Sequence, residues 1–229
     1  MEQQYSLRRI PMGDTLNGFE LLKQLTNNEM KLYCVIQQES LYAGDGEYRY
    51  FYKQDTNMCR LYRLAHISKP TGTKCLKSLV DKNFLRVNKC VVDGKQKDIY
   101  IITEPGNFYV LCNLDVDLYN ILNDSRDNVC CKLYLYHCFK GEAHSQHGYR
   151  YSYTLDQIMI DIGHKKVHDI ISANKLLHRL GVIDIDKYFD EKNRKTLITY
   201  TYNSQYRRKW EEYKLKKQQG INVNWNPHS

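Results

Sequence analysis

One succession of periodicities occurs twice along this chain, and that repetition constrains the fold more than any single motif does. In the first copy, residues 25–40 carry Leu25, Met30, Tyr33, Cys34 and Ile36 at helical spacing, with Thr26 and Glu29 placed as a capping box. A turn at Gly44-Asp45-Gly46 precedes a short aromatic strand over residues 48–52. Met58, Leu61, Tyr62 and Ala65 mark a short helix, and His66-Ile67-Ser68 reads as the turn after it. Ser68 caps the next helix, whose first turn holds Pro70, where a missing N–H costs nothing. Cys75, Leu76, Leu79 and Val80 form its buried stripe. Strands over 84–87 and 98–103 flank a tight turn at Val92-Asp93-Gly94-Lys95.

The second copy keeps that order. Residues 129–139 are apolar and helical in character, residues 141–148 form a polar, histidine-rich turn, and residues 149–153 suit a short aromatic strand. Thr154 caps a helix over 155–162, Gly163 makes the turn, and residues 165–180 form the second helix on Val167, Ile170, Ile171, Leu176, Leu177 and Leu180. Gly181 stops it by adopting a left-handed conformation easily. Strands over 182–185 and 196–202 enclose a polar loop at 186–195. A single α+β domain explains each element but not the repetition. The expected division is therefore 1–105 and 106–205, with a connection at 107–127 that includes a helix over 115–122, and a basic arm and tail at 206–229. Pro105 and Gly106 place the boundary.

Helix, turn, helix and a two-stranded hairpin together describe a winged helix, so the expected fold is α+β, in tandem winged helix-turn-helix domains. At residues 56–87 and 153–185 the chain resembles the winged helix-turn-helix family of bacteria, phages and plasmids. Ser-Lys-Pro-Thr-Gly-Thr at 68–73, the leucine-spaced helix after it and the strand leaving for the wing carry the resemblance. Two copies in one short basic chain look like plasmid and phage replication initiators, or DnaD-like replisome organisers. The resemblance implies sequence-specific binding of double-stranded DNA at an origin, with host replication proteins and a second copy of the chain as protein partners. The second copy departs from the pattern: Gly163-His164-Lys165-Lys166 lacks the usual cap residue. Base reading, a phosphate grip and dimerisation all stay open for it.

Charge agrees with a polyanionic partner. Lysine and arginine number 34 against 26 acids. From Arg60 to Lys97 there are ten basic residues against Asp81 and Asp93; from Lys187 to Lys217 there are ten against four acids. On the first unit's second helix the solvent face holds Ser68, Lys69, Thr71, Thr73, Lys74, Lys77 and Ser78, with Thr71, Thr73 and Lys74 nearest the helix start that meets base edges. Lys77 and Lys82 address phosphates, as do Lys95 and Lys97 on the wing. In the second unit the candidates are His164, Lys165, Lys166, His168, Lys175 and Arg179, with Lys187, Lys192, Arg194 and Lys195 on its wing. A solvated lysine face is the plain alternative for both sets. The arm at 206–219, with Trp210 and Tyr213, would track phosphate or pack across a partner.

Other chemistries fit poorly. Cys130, Cys131, His137, Cys138, His144 and His147 are six metal-ligating side chains in a short span, but Cys130 to Cys138 spans an apparent helix and the set lacks the paired short spacings of a structural zinc site. No metal or other cofactor is expected. No glycine-rich phosphate loop is present, and Tyr149, Tyr151 and Tyr153 are explained by strand alternation, so no enzymatic activity is expected. The first twenty residues lack an apolar run and no stretch approaches a membrane span, so a cytoplasmic setting with reduced cysteines is expected. Two readings compete with the replication role: a transcriptional regulator on a palindromic operator, and an adaptor that uses its winged helices for protein contacts.

Overall fold

The computed structural model describes residues 8–13, 19–42, 49–103, 108–112, 121–122, 129–190, 195–203, 216 and 218–220. The fold is α+β. After strand β1 (Arg8–Gly13) and the short helix α1 (Glu20–Gln24) comes α2 (Asn27–Glu39), then β2 (Leu41–Tyr42), β3 (Arg49–Tyr52), α3 (Met58–Leu64), α4 (Lys69–Asp81) and the hairpin β4 (Leu85–Val92) and β5 (Lys95–Ile102). Strand β6 (Phe108–Cys112) follows. The second half holds α5 (Cys130–Ala143), β7 (Arg150–Ser152), α6 (Leu155–Ile162), α7 (Val167–Arg179) and the hairpin β8 (Ile183–Asp190) and β9 (Lys195–Tyr202).

The two halves share one order and one pairing. The first sheet runs β2-β3-β5-β4 and the second β7-β9-β8, both antiparallel, so the strand ahead of the paired helices joins the returning arm of the hairpin each time. Helices α4 and α7 hold equivalent places in that order. Local chemistry sets each boundary. The Thr26 side chain accepts from the Glu29 amide while the Glu29 carboxylate accepts from the Thr26 amide, completing the capping box. Asp93 and Gly94 both have positive φ, as the tight turn of a two-residue hairpin requires. Gly163 caps α6 in the left-handed conformation.

Helices α2 and α5 form the centre. Each is buried along almost its whole length, and the two pack against each other. Phe19 bridges the halves, its ring 5.0 Å from Tyr136 and 5.5 Å from Phe139. One continuous apolar core results.

Several features differ from the sequence reading. Both hairpins are longer than expected: β4 reaches Val92, β5 starts at Lys95, and β8 runs to Asp190 where a polar loop over 186–195 was expected. Helix α5 runs through Gly141 to Ala143 instead of turning there. A Cβ on Gly141 would lie 2.3 Å from the Tyr202 Cβ, so this glycine permits close packing on β9 and marks no turn. Residues 108–112, expected within a connection, form β6, which pairs antiparallel with β1, so residues on either side of the expected boundary at 105 are hydrogen-bonded together. Helix α7 starts at Val167 rather than at Lys165. Of the connection's expected helix only Ile121 and Leu122 are described, both helical and buried; the arm at 206–219 falls almost wholly outside the described residues.

Candidate nucleic-acid interface

The start of α4 is built by its own side chains. The Ser68 hydroxyl accepts from the Thr71 amide, lies 2.9 Å from the Thr71 hydroxyl, and Pro70 stands in the first turn. Thr73 turns its hydroxyl back onto the Lys69 carbonyl at 3.0 Å, hydrogen-bonds Tyr62 and lines the cleft between α3 and α4. Gly72 is buried against the Tyr62 ring, which an added Cβ would meet at 2.3 Å, so α3 and α4 approach more closely than any larger residue allows.

Lys69, Lys74 and Lys77 are exposed along the helix, and among the described residues none of them makes an ion pair. Lys82 is different. Its ammonium donates to the Glu29 carboxylate at 2.7 Å and to the Gln24 carbonyl at 2.8 Å, tying the end of α4 to α1 and α2. Burial opposes ionisation of Glu29, but hydrogen bonds from Lys82, Ser78 and the Thr26 amide outweigh it and hold the carboxyl below its usual range. Lys97 is likewise engaged: its ammonium donates to both Asp55 oxygens at 2.7 and 2.9 Å and sits 5.5 Å from the Tyr52 ring centre. The hydrogen bond to Asp55 raises its pKa. Two of the lysines expected to face phosphate are therefore bound up in intramolecular pairs.

The hairpin adds exposed cations. Lys95 stands at the turn, and Arg86 and Lys89 are exposed on β4, although neither was singled out from sequence. Cross-strand pairing places Val87 opposite Tyr100 and Lys89 opposite Asp98. Val87 and Tyr100 line the cleft beside α4, so by strand alternation Lys89 shares the α4 side and Arg86 faces the other way. Lys53 lines the same cleft.

The second unit assembles its candidates less well. Lys166 takes the cap position of α7 without a side-chain hydrogen bond. His164 Nε2 lies 2.8 Å from the Asp169 carboxylate and is largely covered, so it braces the helix start. Lys165, Lys166, His168, Lys175 and Arg179 are exposed, but they share the surface with Val167 and Ile171, and Ile160 on α6 is 62% exposed. On β8, Asp184 meets Asn203 at 3.0 Å, Asp186 lies 3.5 Å from Arg150, and only Lys187 is an exposed cation. Lys192 and Arg194 lie outside the described residues; Lys195 is placed only as the first residue of β9, opposite Asp190.

Behind α7 lies a buried polar network. His137 Nδ1 is 2.6 Å from the Tyr151 hydroxyl, and His137 Nε2 is 2.8 Å from Asn174 Oδ1, whose amide donates to Tyr200. Burial lowers the His137 pKa to about 4, against a smaller opposing effect from the Asn174 hydrogen bond. The cysteine and histidine run on α5 does not converge: Cys130 donates to the Ala173 carbonyl, and His144 Nδ1 is 2.8 Å from the Lys140 carbonyl oxygen. Among the described residues no group of three His, Cys, Asp or Glu side chains is placed to share a metal ion. Among them, too, no helix is long and apolar enough to cross a membrane.

No protein-family model matches the chain, and no curated protein matches it.

Proposed function

We propose that this chain binds double-stranded DNA through α4 and the β4–β5 hairpin, as a tandem winged helix-turn-helix protein. The single observation that carries the reading is the duplicated order and pairing, with a capped, lysine-bearing helix followed by a basic hairpin in the first copy. A helix of this kind fits the major groove with its first turns at the base edges, and a hairpin beside it reaches the neighbouring backbone. Thr71, Thr73 and Lys74 are the base-reading set; Lys69, Lys77, Lys89 and Lys95 supply phosphate contacts. Lys82 and Lys97 hold the unit together instead. The two winged units act as one body through the α2–α5 contact and the β1–β6 pair, which joins strands from either side of residue 105.

The biological role that fits two DNA-binding units in one short basic chain is replication initiation or organisation on a mobile element. Footprinting across the DNA that flanks the protein's own coding sequence tests it. Protection of direct repeats supports the replication role, and an inverted repeat at a promoter replaces it with transcriptional regulation. Failure to retain any duplex at low salt leaves the adaptor reading.

A further inference from the structure

We propose that the cleft beside α4 is a docking groove for an acidic amphipathic segment of a partner protein. The cleft has a volume of about 400 Å³ and lies between α3, α4 and the face of the first sheet. Its floor is apolar, with Leu76, Val80, Val87 and Tyr100 among its residues, and Val87 is 38% exposed there. Lys53, Lys69 and Lys77 stand at its rim, and none of the described residues lining it is acidic.

An apolar floor adds nothing to a phosphate contact, which needs only cations and N–H donors. An occupant that uses this groove therefore carries apolar surface as well as negative charge. Lys69 and Lys77 stand eight residues apart on one helix, roughly 12 Å along its axis. A small carboxylate reaches one of them and leaves the other unpaired. A helical segment with two acids about two turns apart and a large apolar side chain between them satisfies both lysines and fills the floor. The depression on the second unit has no such preference, because Asp156 and Lys165 line it together with Met159 and Ile160.

The probe is a fluorescein-labelled, helix-forming peptide with glutamates eight positions apart and a phenylalanine midway. It is titrated into the full chain and followed by anisotropy. Binding is expected to weaken about tenfold or more on changing the peptide phenylalanine to alanine, or its glutamates to glutamine. A comparable loss is expected for the protein variants Val87→Glu and Lys69→Ala/Lys77→Ala, with Lys165→Ala/Lys166→Ala unchanged. The lysine pair is on the surface, so it keeps the test valid if Val87→Glu fails to fold. The proposal is overturned by no binding up to about 1 mM, by equal binding of the alanine peptide, or by equal loss in the Lys165/Lys166 variant. No DNA enters the measurement, so its failure leaves the duplex reading standing and the converse also holds.

Discussion

Helices α4 and α7 occupy the same place in two copies of one arrangement, yet they offer different surfaces. Helix α4 starts from a serine cap and shows Lys69, Lys74 and Lys77 to solvent. Helix α7 starts from an uncapped lysine, braces its first turn with His164 and Asp169, and exposes Val167 at 43% and Ile171 at 36%. Among the described residues the hairpins diverge in step: Arg86, Lys89 and Lys95 are exposed on the first beside Asp93, while Asp184 and Asp186 accompany Lys187 on the second. Burial preserves the order of elements in both copies, because the apolar stripes must still meet the core. The solvent face carries no such constraint, and there the two units have separated.

The largest expected effect tests that separation directly. Lys69→Glu/Lys74→Glu/Lys77→Glu should weaken duplex binding roughly a thousandfold near 0.1 M salt, because Lys69 and Lys77 forfeit the counterion release of their phosphate contacts and Lys74 loses its base contact. Lys165→Glu/Lys166→Glu/Lys175→Glu should cost less than about tenfold in the same anisotropy titration. Equal losses would mean that both units grip DNA and that the apolar residues on α7 are incidental.

Acid should separate the halves next. An unfolded histidine takes up its proton near pH 6.5, whereas folded His137 resists until about 4. Stability is therefore full above pH 6.5 and declines as pH falls toward 4, by about 3 kcal/mol in all. The first unit has no buried histidine among its described residues; its sensitive group is Glu29, whose lowered pKa protects the fold until pH drops below the ordinary value of 4.5. Urea unfolding at pH 7 and pH 5 should show a clear loss in the parent chain and little pH slope in His137→Gln. A parent chain with equal midpoints at the two pH values would show that the His137 network is not closed to protons.

What the sequence made legible was local. The Thr26–Glu29 box, the Ser68 cap before Pro70, the Asp93-Gly94 turn and the stop at Gly163 each depend on residues within a few positions of one another. The β1–β6 pair was not legible, since Arg8 finds Cys112 across a hundred residues and neither strand alternates strongly enough to announce a partner. Gly141 misled because glycine serves turns and tight packing alike, and only the position of Tyr202 distinguishes them. The same holds for the site. That α4 is basic could be read in advance; that Lys82 belongs to Glu29 and Lys97 to Asp55 could not, because those acids lie 53 and 42 residues away.

Gly72 offers a smaller and purely steric comparison. It stands four residues beyond the Ser68 cap, where the second unit, counted from Lys166, has fully buried Ile170. Alanine is the better helix former by about 1 kcal/mol. Against that, its Cβ would enter the Tyr62 ring, and overpacking of this kind costs about 1–3 kcal/mol. Gly72→Ala should therefore lower the urea midpoint modestly with an unchanged slope, while Ile170→Val loses about 1 kcal/mol for the opposite reason, a small void. A more stable Gly72→Ala chain would show that α3 and α4 stand farther apart than described.

The smallest expected effect asks which side of the first hairpin meets the duplex. Lys89 lies on the strand face shared by Val87 and Tyr100, which border α4, and Arg86 lies on the reverse. Lys97 is already neutralised by Asp55. A duplex seated on α4 should therefore meet Lys89 and miss the other two. Lys89→Ala should reduce the slope of log affinity against log salt by about 0.9, with a few-fold loss that is the same for every sequence. Arg86→Ala should leave the slope unchanged, while Lys97→Ala loses no phosphate contact and, by freeing Asp55, adds only a little repulsion at low salt. Lys95, at the turn itself, is long enough to serve either face and does not discriminate. Matched reductions for Lys89→Ala and Arg86→Ala would place the ribbon edge-on in a groove with phosphates on both sides. The seating on α4 alone would then have to give way to one in which the hairpin, and not the helix, sets the axis of the complex.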